Sequence, residues 1–178
     1  MPALFLVGMM GSGKTTVGRV VAERSRARFV DLDERLELIF GRSIADIVRA
    51  GEPRFRRLER AVLLHLLDDP GFTRDEAWVV ATGGGVVTDP RNMEAMKGAG
   101  TVVYLDVPVA EIARRVGRDP TRPLLDGADD PAETLGRLLD ARRSAYEAAH
   151  RRVDGRGTPH EVAGRVVQAW RTARTAAE

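Results

Sequence analysis

The chain has 178 residues, 43% of them hydrophobic, and a formal net charge of +2, which suits one globular α/β domain with a real core and leaves too little for two independent ones. No run approaches the eighteen apolar residues that span a bilayer, and the apolar start carries neither a basic leader nor a cleavage pattern, so a cytoplasmic protein is expected. Cysteine is absent and the three histidines are scattered, which excludes disulfides and zinc sites and leaves oxygen ligands for any metal. The isoelectric point near 9.5 reports arginine. Because 26 acidic residues are interleaved with 28 basic ones, neither nucleic acid nor a membrane is an expected partner. Only Lys14 and Lys97 are lysines, so Lys14 stands out as a position where a flexible point charge is wanted and a guanidinium fork is not.

The first predicted strand, Ala3-Leu4-Phe5-Leu6-Val7, runs into Gly8-Met9-Met10-Gly11-Ser12-Gly13-Lys14-Thr15 and then into a helix from Thr16. Strand, G-x-x-x-x-G-K-T turn and helix together make a polyphosphate cradle. Backbone N–H groups of Gly11, Ser12, Gly13 and the helix start wrap the phosphates, Lys14 reaches the terminal ones, and Thr15 offers its hydroxyl to Mg²⁺. The next strand, Arg28-Phe29-Val30-Asp31-Leu32-Asp33, ends in acid. If Asp31 and Asp33 both belong to the strand, they point to one side, into the crevice where such sheets bind ligands. Two readings stay open there: a paired-carboxylate site for Mg²⁺ and an acceptor hydroxyl, or an acidic strand end capping the helix Glu34–Phe40 that Gly41 stops.

Ser43, with Asp46 three residues on, caps a short helix that ends near Gly51. Glu52-Pro53 opens a longer one with Phe55, Leu58, Val62 and Leu66 on its apolar stripe, and His65 in or beside that packed face. Of Arg54, Arg56, Arg57 and Arg60, about two are expected on a solvated face. Arg56 is the exception to pursue, because Glu59 three residues on can orient its guanidinium toward an anion. Ala77–Ala81 is a third strand, and Thr82-Gly83-Gly84-Gly85 follows it. Three glycines at a strand's carboxyl end mark a close approach to the backbone, by a ligand in preference to a neighbouring loop.

A helix from Pro90 to about Gly98 leads to a fourth strand, Thr101–Asp106. Asp106 ranks behind Asp31 as the metal-side carboxylate, because Pro108 suggests that it serves the start of the next helix. The stretch from Gly117 through Asp130 is too long and too rich in glycine and proline for an ordinary connector, and it reads as a lid carrying Arg122. A helix of about Pro131 to His150 follows, then a short strand at Arg152-Val153-Asp154, the loop Gly155–Pro159, and an amphipathic helix packed through Val162, Val166, Val167 and Trp170. Fraying is expected after Trp170.

With these pieces in place, the chain resembles the shikimate kinases, small P-loop kinases of the aromatic amino-acid pathway, along nearly its whole length. The likeness lies in Gly8–Thr15, Asp31-Leu32-Asp33, Gly51-Glu52-Pro53-Arg54-Phe55-Arg56 with Glu59, Thr82-Gly83-Gly84-Gly85, Arg122-Pro123-Leu124-Leu125, and Arg142 four before Tyr146. It implies a doubly wound five-stranded parallel sheet in the order 2-3-1-4-5 with helices on both faces. One P-loop kinase domain would fill residues 1–178, with an acceptor-binding helical segment at about 33–60 and a mobile lid at about 117–130. It also implies transfer of the ATP γ-phosphoryl group to the 3-hydroxyl of shikimate, with Mg²⁺ required. Asp33 would orient the hydroxyl, Arg56 and Arg142 would grip the carboxylate, and Gly84, flanked by Gly83 and Gly85, would meet the ring hydroxyls. Lys14 and Arg122 would steady the phosphoryl oxygens. Thr16 would join the phosphate loop, Arg115, Arg156 and Pro159 would lie against adenine, and Thr15 and Asp31 would serve the metal.

The competing expectations are a gluconate-type kinase on the same fold and an NTP-dependent switch. No guanine-reading N-K-x-D or T-K-x-D element is present, and no aromatic cluster stands ready to stack a nucleotide acceptor. A monomer is the default.

Overall fold

The computed structural model describes residues 3–72, 76–116 and 131–175. In chain order the elements are β1 (Ala3–Val7), α1 (Lys14–Ser25), β2 (Arg28–Asp31), α2 (Leu32–Phe40), α3 (Ile44–Arg49), α4 (Glu52–Leu67), β3 (Trp78–Ala81), a 3-10 turn (Val86–Thr88), α5 (Pro90–Ala99), β4 (Gly100–Asp106), α6 (Val109–Val116), α7 (Pro131–Glu147), β5 (Arg151–Asp154) and α8 (Pro159–Thr175). The strands form one sheet in the order β2-β3-β1-β4-β5, every neighbouring pair parallel. This is the α/β architecture and strand order that the resemblance implies. No described helix is long and apolar enough to cross a membrane.

Alternation along β1 divides the core in two. Ala3, Phe5 and Val7 face one side, where they meet Leu32, Phe55, Val62, Met96, Leu135 and Tyr146 from α2, α4, α5 and α7. Leu4 and Leu6 face the other, against Val17 and Val21 of α1 and Val162, Val166 and Trp170 of α8. A strand covered on both faces has no polar side to offer, which is why β1 reads as an unbroken apolar run. The sheet's carboxyl edge then carries the turns after β1, β2 and β3 to one place.

Several local expectations are corrected. Asp33 does not lie on the strand: β2 ends at Asp31, and Asp33 is the second residue of α2. His65 is exposed, off the packed stripe of α4. The helix of α8 continues past Trp170 to Thr175. Asp106 leaves the start of α6 alone and instead accepts hydrogen bonds from the Tyr104 hydroxyl at 3.0 Å and from Arg152 Nε at 2.9 Å. Of the four α4 arginines, two are exposed as expected, Arg54 and Arg57, while Arg60 donates to Asn92 Oδ1 at 2.7 Å. The predicted lid at 117–130, with Arg122, lies outside the described residues.

The register of β1 against β4 also depends on Gly100. A Cβ there would stand 2.0 Å from the Ala3 carbonyl oxygen and 2.7 Å from its carbon, both backbone atoms that cannot turn aside. Gly100→Ala is expected to lower stability by about 1–3 kcal/mol, the usual cost of forced overpacking, measured by urea unfolding against the unsubstituted chain.

Candidate active site

The turn between β1 and α1 needs left-handed backbone at Gly11 (φ 73°) and Gly13 (φ 93°), and Gly13 is the residue from which α1 starts. That geometry turns the N–H groups at the head of α1 toward one concave surface, the feature that binds phosphate. Lys14 is buried beside it, its Nζ donating to the carbonyls of Gly8 at 2.9 Å and Met9 at 2.8 Å. Ser12 is buried beneath the loop and Thr16 is exposed on the first turn of α1. Arg115 ties the loop to its surroundings, donating to Ser12 O at 3.2 Å, to Gly155 O at 3.0 Å and to Glu111 at 2.9 Å. Arg156 lies exposed on the turn after β5, next to the Gly155 carbonyl that Arg115 holds, and is paired with Asp154 at 2.8 Å, while Pro159 is the exposed first residue of α8.

Asp31 caps α2, the second of the two readings of the acidic strand end, and also meets the phosphate loop. Its Oδ1 caps α2, accepting the N–H of Asp33 at 2.9 Å and of Glu34 at 3.3 Å, while Oδ2 accepts the Thr15 hydroxyl at 2.6 Å. A threonine from the phosphate loop and a buried carboxylate are thus side by side, an all-oxygen pair of the kind that holds Mg²⁺ through few protein ligands while phosphates and water complete the shell. Among the described residues no three His, Cys, Asp or Glu side chains gather as a self-sufficient metal site. The residues present fit a magnesium ion that arrives with a nucleotide.

Beside the loop lies a cavity of about 510 Å³. Asp33, Arg56, Glu59, Gly83, Gly84, Gly85 and Arg142 line one part of it with Met10 of the phosphate loop, and Ile44, Ala45, Val48 and Phe55 give it an apolar wall. All the predicted acceptor residues therefore meet in one place. Glu59 is buried and accepts from Arg56 Nη1 at 2.8 Å, while Glu52 takes Arg56 Nη2 at 3.0 Å. The guanidinium is held from behind by two carboxylates. Burial pushes the Asp33 carboxyl up to about 7, reinforced by the negative charges of Asp31 and Glu59 and opposed by Lys14. Burial likewise raises Glu59, against the lowering pull of Arg56 and Arg142.

The three glycines make room for the protein's own groups. None has a positive φ, and the groups that crowd them belong to the protein. A Cβ on Gly83 would stand 2.3 Å from Glu59 Oε1, one on Gly85 would stand 2.1 Å from Arg56 Nη1, and one on Gly84 would stand 2.9 Å from the Met10 backbone nitrogen. The run lets the site's own side chains and the phosphate loop close up. Composition and spacing left Tyr146 without a role. Its buried hydroxyl donates to Gly84 O beside Arg142 Nη1, which reaches the same oxygen at 3.4 Å, and its ring stacks on Tyr104 with centroids 5.0 Å apart. The signal that sequence reading had for it was its spacing, four residues after Arg142, one helical turn on.

Comparison with known proteins agrees with this geometry. The shikimate kinase family model matches residues 10–171. A shikimate kinase of Synechococcus elongatus is 44% identical over 147 residues, 82% of this chain and 73% of that protein, and one of Paramagnetospirillum magneticum is 45% identical over 148 residues, 82% and 72%. Among solved structures, the shikimate kinase of Acinetobacter baumannii in complex with shikimate superposes with a TM-score of 0.86 at 40% identity, covering 94% of this chain and 92% of that one. A gluconokinase of Sinorhizobium meliloti, covering 99% and 95%, reaches a TM-score of 0.63 at 18% identity, a likeness of fold alone. With the P-loop, the acceptor cavity and these relatives in agreement, the chain belongs to the shikimate kinase family.

Proposed function

We propose that the site residues divide the family's reaction, ATP-dependent phosphorylation of the 3-hydroxyl of shikimate, between the phosphate loop and the adjoining cavity. The observation that carries this reading is the single cavity in which Asp33, Arg56, Arg142 and the glycine run adjoin Met10 of the phosphate loop. An acid for a hydroxyl and two arginines for a carboxylate match the polar ends of shikimate, and Ile44, Val48 and Phe55 match its ring.

In the mechanism, Gly11, Ser12, Gly13 and Thr16 present backbone donors to the phosphates of ATP, and Lys14 leaves the carbonyls of Gly8 and Met9 to neutralise the transferring group. Arg115, Arg156 and Pro159 border the adenine end. Arg56 and Arg142 fix the acceptor's carboxylate and Gly84 meets its ring hydroxyls, which leaves the 3-hydroxyl beside Asp33. A carboxyl balanced near neutrality can orient that hydroxyl and accept its proton as the oxygen attacks phosphorus. Thr15 and Asp31 would hold Mg²⁺, which would supply positive charge to offset that of the phosphates. Arg122 is assigned from the Arg122-Pro123-Leu124-Leu125 motif to the phosphoryl oxygens, its place lying outside the described residues. The chain is read as one kinase domain over residues 1–178, acting as a cytoplasmic monomer, with the lid at about 117–130 and the acceptor segment at about 33–60.

ADP release from Mg·ATP is expected with shikimate and not with gluconate; turnover with gluconate alone would overturn the acceptor assignment, and ATP binding with no turnover would favour a switch. Asp33→Asn is expected to lower kcat by about 10²–10⁴, the range for a lost general base, with nucleotide affinity kept in a direct binding titration. Arg122→Ala is expected to cost about 10³ in kcat, as lost phosphoryl-stabilising arginines do, without abolishing ATP binding. Near-normal turnover would remove Arg122 from the mechanism.

A further inference from the structure

The apolar wall of the acceptor cavity is made by the weakest element around it. Helix α3 has six residues and buries only Ile47, yet Ile44, Ala45 and Val48 on it face the cavity opposite Asp33 and Arg56. A helix this short has no stability of its own in water, so its position depends on what holds its ends. At the C-terminal end, the backbone N–H of Ala50 bonds within the chain turn to Asp46 O at 3.2 Å. At the N-terminal end, Ser43 Oγ satisfies the N–H of Asp46 at 3.1 Å, and Glu37 Oε1 accepts the N–H of Ile44 at 2.8 Å. Glu37 sits one turn before the end of α2, and its own backbone carbonyl accepts the N–H of Gly41 at 2.8 Å, the bond that closes the helix. One residue therefore fixes both sides of the α2–α3 corner, its carbonyl ending the first helix and its carboxylate starting the second. Its side chain also lines the cavity.

We propose that Glu37 is a positioning residue for the acceptor: through its bond to the Ile44 N–H it holds the α3 wall at the height that fits the ring, and it touches neither the reacting oxygen nor the phosphates. This rests on the acceptor-cavity reading above. The geometry sets it apart from the other carboxylates of the site. Asp33 and Glu59 stand against Gly83, where a Cβ would meet an oxygen of each, whereas the described bond of Glu37 runs along the corner to backbone. A role through hydrogen-bond acceptance needs an oxygen and no charge, so an amide should do nearly as well as a carboxylate.

The test is steady-state kinetics on the full chain with shikimate and ATP varied separately, for Glu37→Ala, Glu37→Gln, Ile44→Pro, the Glu37→Ala/Ile44→Pro double variant and Asp33→Asn. Ile44→Pro removes the donor from the other side at the first helical position, where proline is accepted, and Ser43 already has the extended backbone that precedes proline (φ −66°, ψ 150°). Glu37→Ala is expected to raise the KM for shikimate about tenfold, the scale of a backbone donor left without its partner, with kcat and the KM for ATP nearly unchanged. Glu37→Gln is expected to recover most of that loss, and the double variant to be no worse than the weaker single one, since both remove the same bond. Additive losses, or Glu37→Gln behaving like Glu37→Ala, would overturn the proposal in favour of a charge role or unrelated damage. An unchanged KM in Glu37→Ala with turnover lost in Asp33→Asn would overturn the clasp and leave the cavity reading standing. Normal kinetics in both would overturn the two together.

Discussion

The carbonyl of Gly84 is the point on which the site depends. It accepts the Tyr146 hydroxyl and lies 3.4 Å from Arg142 Nη1, while the same residue packs so closely on Met9 and Met10 that a Cβ has no room. Three parts of the chain far apart in sequence, the phosphate loop, the turn after β3 and helix α7, are thereby joined at one residue. Burial pushes the Tyr146 phenol up to about 12, so it remains a donor at any ordinary pH. Its ring, stacked on Tyr104 of β4, carries that anchorage into the sheet. Nothing softer than backbone and buried aromatic packing decides how far the acceptor cavity stands from the phosphates, and phosphoryl transfer tolerates little error in that distance.

Charge is arranged around this point by pairing. Arg56 is backed by Glu52 and Glu59, Arg115 by Glu111, and Arg152 by Asp106. The exposed pairs contribute little to stability. The buried Glu59 is different, because without Arg56 it would lose the ion pair that offsets its burial most directly. The same arrangement points the outer face of the guanidinium toward the cavity and keeps Asp33 among other negative groups, which, added to burial as the larger cause, make it hold its proton up to about 7.

Asp31 shows how one side chain serves fold and chemistry together. Two oxygens at the end of β2 do separate jobs: one closes the orphan N–H groups at the head of α2, the other meets the Thr15 hydroxyl. Capping fixes the rotamer, and the fixed rotamer is what places the second oxygen beside the phosphate loop. Asp33, moved from strand to helix relative to the alternation expected of it, reaches the cavity because α2 starts at once and turns it there.

The phosphate loop was legible in the sequence because its chemistry is local: eight consecutive residues, two obligatory left-handed glycines and a following helix contain the whole device. Strand positions and the buried character of β1 were legible for the same reason, since periodicity is a property of neighbours in the chain. Asp33, Arg56 and the glycine run stood out by local pattern, an acid pair at a strand end, a glutamate three residues on and glycines after a strand, whereas Arg142 and the separate acceptor roles came from the motifs of the family the chain resembles. What tertiary structure alone decided is convergence. The crowding at the three glycines, the diversion of Asp106 to Arg152 and the role of Tyr146 each depend on a partner dozens of residues away. No local pattern encodes which distant side chain will fill the space beside a given backbone, because that is settled only when the sheet brings its carboxyl-edge turns together.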